Sequence, residues 1–376
     1  MEQLLSPFHD LMLEAVALSR QGAGRTAPNP CVGALLVKDG QILARGWHAA
    51  AGQPHAEINC LSQARELGVN PSECTLVVTL EPCNHHGKTP PCTHAILEAG
   101  IRHVVIGARD PNPRAAGGGT WLHERGVKVE YGAAEQACLD NIADFMAWQS
   151  GRPYVILKLA STIDGRIATR NCHSRWISGP EALERVQQLR AWSQAVLVGG
   201  KTFYKDNPRL TCRLPGYDGP QPLGVVVSSR LPEYPELFHI LRQRPSEAVF
   251  MTDEQEAAGV KAKALRELGA TVWGLPYLNE EKRILDLLDG LDRLYSERGV
   301  HYLLCEGGGG LAMHLLEDGL ADELRLHLAP KILGDAQARP LFSGRVPLSM
   351  GEALQLRLCD SEICGEDLLL QYRRGD

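Results

Sequence analysis

Several features are missing from this 376-residue sequence, and each absence removes a class of protein. No segment repeats at a period of about 20 to 50 residues, which argues against a solenoid or propeller. No block of Lys or Arg stands against the formal charge of −6, so the surface is not built to neutralise a nucleic-acid backbone; small anionic ligands remain compatible with it. The opening stretch, MEQLLSPFHDLMLEAVALSR, has acidic and polar residues between its apolar ones at helical spacing. It fits neither a signal peptide nor a membrane span, and the expectation is an amphipathic surface helix with no membrane partner. A paired disulfide framework is also absent. The eleven cysteines are an odd number, scattered without any sign of secretion, which points to a reducing, cytoplasmic setting.

What is present is an ordinary globular mixture, 44% apolar and 22% charged, in a chain longer than a single domain of about 100 to 200 residues. Two domains are expected. CVGALLV, a Lys38-Asp39-Gly40 turn and QILARGWH read as a hairpin, residues 55–67 as a helix ended by Gly68, and TLVVTLE as a buried strand. A short helix over CTHAILEAG, the strand HVVIGA, a glycine-rich loop, the strand VKVEYG and one helix through AAEQACLDNIADFMAWQSG follow. Gly151-Arg152-Pro153 interrupts the pattern, so the boundary is placed near 150. Strands and helices then alternate again (YVILKLA, EALERVQQLRAW, AVLVGG, PLGVVVS, AAGVKAKALRELG, TVWGL, RILDLLDGLDRLYSERG and HYLLCEGG), which predicts a second, mainly parallel sheet. ELRLHLAP and EDLLLQYRR read as late strands at its edge.

Cys31, Cys60, Cys74, Cys138, Cys172, Cys212, Cys305, Cys359 and Cys364 lack ligand-type neighbours at metal spacing and read as small core residues. Cys83 and Cys92 are different. His55 opens a predicted helix, and Cys83 follows a strand about two dozen residues on. Two thiolates and one imidazole hold a tetrahedral zinc ion with its fourth position open, the mark of a catalytic rather than a structural site. Glu57, two residues after His55, is placed to carry protons for such a site, in the His-x-Glu and Pro-Cys pattern of zinc deaminases acting on cytosine and adenine. The cysteine spacing is wider than in that pattern, because NHHGKTPP intervenes. His85 and His86 belong to this loop and are not assigned to the metal. Asp110 and Asn112, each before a proline, read as turn formers.

TLEPCNHHGKTPPC, with PNPCVG upstream and DPNP downstream, resembles the deaminase domain of the bifunctional riboflavin-pathway enzymes, over residues 9 to 132. The resemblance implies a cytidine-deaminase-like α/β/α domain over 1–150 that binds one zinc ion and hydrolytically deaminates a phosphoribosylamino-pyrimidinone. It implies His55, Cys83 and Cys92 as zinc ligands, Glu57 as proton shuttle, and Asn29, His48 and Lys88 as substrate-binding residues, with Lys88 suited by charge to a phosphate or carbonyl.

In the second half, Glu306-Gly307-Gly308-Gly309-Gly310 follows one strand and precedes a helical pattern, which lets a diphosphate approach main-chain amides at a helix N-terminus. The spacing is not the dinucleotide fingerprint Gly-x-Gly-x-x-Gly, so a Rossmann domain is not expected. LKLASTIDGRIA, SRWISG, QLRAW, VGGKTFYKDNPRLTCR, CEGGGGLAMHLL and LAPKILG occur in the order found in the reductase domain of the same family. Thr162 and Ile163 stand where that family more often has Ser-Leu.

This second resemblance implies a dihydrofolate-reductase-like α/β domain over 151–376, which binds NADPH and reduces a ribosyl group to ribityl. It implies Ser161, Trp176, Thr202, Asp206, Ser229 and the stretch Gly308, Gly309, Gly310, Leu311, Ala312, Met313 and His314 as cofactor contacts. Ser174, Arg190, Leu210, Arg213 and Glu306 fall at substrate contacts, and Lys158, Asp206 and Glu306 are the catalytic candidates. Ser228, Ser229 and Arg230 are anchors suited to a 2′-phosphate. Two other readings compete: a nucleic-acid base deaminase with an accessory domain, opposed by charge and cysteine spacing, and a zinc scaffold with only the reductase active, opposed by Glu57 beside a full ligand set. A homo-oligomer is the prior expectation for a soluble enzyme.

Overall fold

The computed structural model describes residues 6–85, 90–279, 281 and 284–375. The chain divides into two compact units, Met1–Ser150 and Gly151–Asp376.

The first unit runs α1 (His9–Ser19), β1 (Gly33–Lys38), β2 (Gln41–Trp47), α2 (Ala56–Glu66), β3 (Thr75–Leu80), α3 (Cys92–Glu98), β4 (His103–Ala108), α4 (Gly118–His123), β5 (Lys128–Tyr131), α5 (Glu135–Asn141) and α6 (Ala143–Gln149). Its sheet has the order β2-β1-β3-β4-β5, with β1 antiparallel to both neighbours and β3, β4 and β5 parallel. The β1–β2 turn places Asp39 at φ 51° and Gly40 at φ 77°, the left-handed pair that a two-residue hairpin requires. Strands covered on both faces read as continuous apolar runs, and TLVVTL is one. Leu76 and Val78 join Ala34, Leu36 and α2 residues Ala56, Cys60 and Ala64 in one core layer. The opposite layer is held as close: a Cβ at Gly33 would lie 2.1 Å from Ala15 O of α1, and one at Gly107 2.2 Å from Cys138 Sγ of α5.

The second unit continues with β6 (Tyr154–Thr162), β7 (Arg166–Ala168), α7 (Pro180–Trp192), β8 (Ala195–Gly199), α8 (Gly200–Asp206), β9 (Leu223–Val227), α9 (His239–Gln243), β10 (Ala248–Asp253), α10 (Glu254–Ala257), α11 (Val260–Glu267) and β11 (Thr271–Leu275). It closes with β12 (Tyr277–Asn279), β13 (Ile284–Leu285), α12 (Leu287–Arg298), β14 (Tyr302–Cys305), α13 (Gly309–Glu317), β15 (Glu323–Ala329), β16 (Arg339–Pro340), β17 (Leu356–Cys364) and β18 (Asp367–Arg374). The nine-stranded sheet runs β11-β10-β9-β8-β14-β6-β15-β18-β17. Pairing is parallel from β11 through β15, and β18 and β17 add antiparallel at one end. Leu157, Leu197, Val225, Leu303 and Leu315 sit in its main core.

Several elements differ from the sequence expectation. The single helix after Gly132 is two, broken at Ile142 (φ −111°, ψ 18°). Asn141 there spends its side chain on Cys31 O at 2.8 Å and on the Ser19 hydroxyl at 3.1 Å, tying the chain to β1's approach. GGTWLH, read as part of a glycine-rich loop, is α4. Gly259 becomes the N-cap of α11, splitting AAGVKAKALRELG, and Ile284–Leu285 pair as a strand before α12 begins. ELRLHLAP is an interior strand parallel to β6, because seven residues of β15 register along it. Cys172 and Cys359 are half-exposed, so they are not core residues.

Candidate deaminase and reductase sites

In the first unit, three short segments bring the metal-type side chains together. His55 is the N-cap of α2, Cys83 lies just past β3, and Cys92 is the first residue of α3. The ligand atoms all lie within 4.8 Å of one another, the one such group among the described residues. Nδ1 of His55 is 3.7 Å from Cys83 Sγ and 3.3 Å from Cys92 Sγ. Zinc–ligand lengths of 2.0–2.3 Å at tetrahedral angles separate such a nitrogen and sulfur by about 3.6 Å, so the donor set fits zinc in both type and spacing. The contact with Cys92 pulls the Cys83 thiol down to about 4, and the same contact pushes Cys92 up.

Glu57, in the first turn of α2, is 3% exposed, and burial raises its pKa. It lines a 190 Å³ cavity with His55, Cys83, Asn29, His48, Asp110 and Asn112. His48 is buried, which lowers its pKa; Nδ1 faces Pro54 O at 3.1 Å and so carries the proton. Nε2 is then the acceptor for the Asn29 amide at 3.2 Å, which aims the Asn29 carbonyl oxygen away from the ring. Lys88 and His86 lie outside the described residues.

Two residues exceed their sequence reading. Asp110 and Asn112 do build a turn, through Asn112 N to Asp110 Oδ1 at 2.8 Å and Arg114 N to Asn112 Oδ1 at 3.0 Å. They also line the cavity, and burial raises the Asp110 carboxyl to about 6. Glu81, quoted only as part of a motif, proves to be a buried hub described below.

In the second unit, parallel register explains the polar cluster. Leu157 of β6 pairs with Cys305 of β14, so the next step along both strands sets Lys158 beside Glu306. Arg190 of α7 grips Glu306 in a two-pronged pair, Nε to Oε1 at 2.6 Å and Nη2 to Oε2 at 2.7 Å, and donates to Thr211 O at 3.0 Å. Despite its own burial, Glu306 is held below the usual carboxylate range by Arg190, Lys158 and Arg213. Desolvation brings Lys158 down to about 8. Arg213 is exposed and fixed through its backbone N–H to Gln187 at 2.9 Å. Leu210 is fully buried at φ 53°. Asp206 is exposed at the end of α8, and no hydrogen bond or ion pair joins it to Lys158 or Glu306.

The glycine-rich ends fit a dinucleotide. β8 and β14 are neighbours, and each runs into a helix through a glycine N-cap, Gly199 for α8 and Gly308 for α13. Neither cap supplies a side-chain acceptor, so the first-turn amides of both helices stay open to an anion. A Cβ at Gly308 or Gly310 would meet nothing within 4 Å, whereas one at Gly309 would lie 2.4 Å from Leu341 O. Ser161 on β6 is fully buried with an unpartnered hydroxyl, and Thr202 is half-buried on α8. Trp176 is 65% exposed, so its ring is not core, and Lys331 Nζ holds its carbonyl at 2.8 Å. Ser174 and Ser229 are exposed. Ser228 turns its hydroxyl onto Arg230 O at 2.7 Å, which commits it to the local turn.

The two units define a class: a zinc-dependent deaminase of the cytidine deaminase type, followed in one chain by a dihydrofolate-reductase-like reductase. Residues 6–108 match the cytidine and deoxycytidylate deaminase zinc-binding region, and residues 153–370 match the RibD C-terminal domain. The chain belongs to the RibD family of riboflavin biosynthesis proteins, bifunctional deaminases and reductases that use zinc and NADPH. It is 38% identical to the riboflavin biosynthesis protein RibD of Actinobacillus pleuropneumoniae, over 96% of this chain and 94% of that one. Identity to the Escherichia coli (strain K12) RibD is 36%, over 96% and 97%. Among solved structures, the Thermotoga maritima diaminohydroxyphosphoribosylaminopyrimidine deaminase/5-amino-6-(5-phosphoribosylamino)uracil reductase superposes with a TM-score of 0.74 at 34% identity, covering 98% of this chain and 99% of that one. Acinetobacter baumannii RibD, form 1, gives 0.73 at 34% identity, over 98% and 99%. Among the described residues no helix is long and apolar enough to cross a membrane, and the substrates are small molecules.

Proposed function

We propose that residues 1–150 deaminate 2,5-diamino-6-(5-phosphoribosylamino)pyrimidin-4-one and that residues 151–376 reduce the ribosyl group of the product to ribityl. The observation that carries this reading is the convergence of His55, Cys83 and Cys92 beside a cavity that His55, Cys83 and buried Glu57 line together. The Thermotoga maritima relative, which carries both activities in its name, supports the choice of substrate.

Deamination adds water at the amino-bearing ring carbon and expels ammonia, so protons must move from water to the ring and the leaving nitrogen. His55, Cys83 and Cys92 hold zinc, which supplies the Lewis acidity that makes water nucleophilic at neutral pH. Glu57 carries the protons: its burial favours the protonated form, which suits a carboxyl that must take a proton and return it within one turnover. Neutral His48 fixes Asn29 so that its carbonyl oxygen meets a donor on the pyrimidine edge. Lys88 meets the substrate phosphate or carbonyl.

Reduction needs the bond between the ribose ring oxygen and its amino-bearing carbon opened, giving a C=N bond and a hydroxyl, then a hydride on that carbon and a proton on the nitrogen; NADPH would supply the hydride. The helix ends at Gly199 and Gly308 would hold the cofactor's diphosphate, and Ser161, Thr202, Ser229 and Trp176 would contact the rest of it. Lys158 and Asp206 handle protonation at ring opening, and Glu306 grips ribose hydroxyls. Because Arg190 spends its fork on Glu306, Arg213 is the freer partner for the substrate phosphate. The enzyme acts in the cytoplasm as a homo-oligomer and binds no nucleic acid, in keeping with its charge of −6.

The test follows ammonia release and NADPH oxidation separately, in the zinc-loaded full chain and in Glu57→Gln. Ammonia release should fall by roughly 10²- to 10⁴-fold, the usual worth of a positioned proton carrier. NADPH oxidation with already deaminated substrate should persist. Loss of both activities would contradict the division between the two units.

A further inference from the structure

We infer that Glu81 is a positioning residue of the deaminase, holding the cavity wall that carries Asp110 and Asn112 at a fixed distance from Glu57 and the metal ligands. The inference rests on the deaminase reading above and concerns a side chain that lines the cavity without being one of its metal ligands.

Glu81 directly follows β3, two residues before Cys83, and is 4% exposed. Its carboxyl oxygens accept from three different parts of the fold. Oε1 takes the Tyr131 hydroxyl of β5 at 3.0 Å and the Gly119 amide of α4 at 3.0 Å, and Oε2 takes the Asp110 amide at 3.2 Å. Its own amide donates to Ala108 O at 2.9 Å. One buried side chain thus ties the end of β3 to both ends of the 110–119 connection and to the strand beyond it. A buried carboxyl with donors on both oxygens is costly to disturb, since each donor left without an acceptor loses its full desolvation compensation.

The surroundings show that this connection is seated and not merely nearby. A Cβ at Gly118 would lie 1.9 Å from Pro82 O, and one at Gly119 would lie 1.9 Å from the Tyr131 hydroxyl, so α4 begins directly against the turn leading into Cys83. On the far side of Cys83, Asn84 N donates to Ala115 O at 3.4 Å, and Thr93 Oγ1 donates to Asn84 Oδ1 at 2.9 Å. The metal-bearing turn and the cavity wall are therefore joined both before and after Cys83. Glu81 is the charged link, and Asp110 is anchored to it by main chain, leaving the Asp110 side chain in the cavity.

The experiment uses the zinc-loaded full chain with Glu81→Gln and Tyr131→Phe. Glutamine keeps one acceptor but turns an NH₂ group toward a backbone donor; phenylalanine removes one bond and leaves the carboxyl in place. Ammonia release is measured over a range of substrate concentrations, zinc by elemental analysis, and amide exchange of residues 109–119 by mass spectrometry. The expected result for Glu81→Gln is KM raised roughly ten- to hundredfold, the worth of a charged hydrogen bond, with kcat far less affected. Zinc content should match the parent, and exchange in 109–119 should be faster. Tyr131→Phe should show the same pattern more weakly. Unchanged exchange in 109–119 would overturn the inference whatever the turnover, and so would loss of zinc in step with activity, which would make Glu81 a support of the metal turn alone. A parent chain that releases no ammonia would instead defeat the deaminase reading, while exchange still decides the role of Glu81.

Discussion

Lys158→Met should make the second unit more stable while destroying its chemistry. Desolvation brings the Lys158 ammonium from 10.5 to about 8, even with Glu306 beside it and the side chain only half-buried. Between those two values the unfolded chain holds a proton that the folded chain has released, so folding stability rises with pH across the window. Below pH 8 the folded protein carries the full cost of a charged, poorly solvated lysine. At about 1.4 kcal/mol per pH unit, that cost is about 3 kcal/mol. Methionine has a similar length and no charge, and Glu306 keeps its two bonds to Arg190. The variant should therefore gain about 3 kcal/mol at pH 7, roughly 6 to 12 °C in melting temperature for a unit of this size. The gain should shrink through pH 8 to 10.5 and vanish above it. Urea unfolding of the full chain, read by proteolysis and mass spectrometry of peptides from 151–376, isolates this unit. NADPH oxidation should be lost in the same preparation. A variant less stable than the parent at pH 7, or a difference that does not change with pH, would refute the reasoning.

Cys83→Ser should lose stoichiometric zinc and ammonia release together and leave NADPH oxidation on deaminated substrate intact, as elemental analysis and the two assays would show. Gly309→Ala should cost about 1–3 kcal/mol of second-unit stability, because its Cβ would enter Leu341 O at 2.4 Å. Gly310→Ala, with nothing within 4 Å, should leave stability within about 0.5 kcal/mol or improve it. Paired denaturation curves separate the two.

The sequence showed most clearly what depends on local chemistry. Continuous apolar runs located β1, β3, β4, β8 and β14, and the His-x-Glu and Pro-Cys pattern located a metal site whose three ligands do converge. Long-range pairing was less visible. β15 was read as an edge strand from its late place in the chain, yet it pairs with β6 on one side and β18 on the other, and its polar His327 is 2% exposed. The role of Glu81 was hidden for a related reason. Its three partners lie 29 to 50 positions away, and no local pattern reports bonds of that span. Asp110 was read as a turn former, and it is one, but only the folded wall shows that its side chain enters the cavity. Helix breaks at Ile142 and Gly259 were likewise decided by anchoring and capping rather than by hydrophobic period.

Every residue proposed for ammonia release lies before Ser150, and every residue proposed for hydride chemistry lies after Gly151. Covalent joining therefore adds no group to either reaction. What it fixes is a headcount: translation delivers the two catalysts in a one-to-one ratio, whatever their separate turnover numbers. The slower of the two sets the flux of the pair, and a cell that needs more of one must make more of both. Selection acting on output then falls on the lagging half until the rates approach each other, a constraint that two independently expressed proteins would escape.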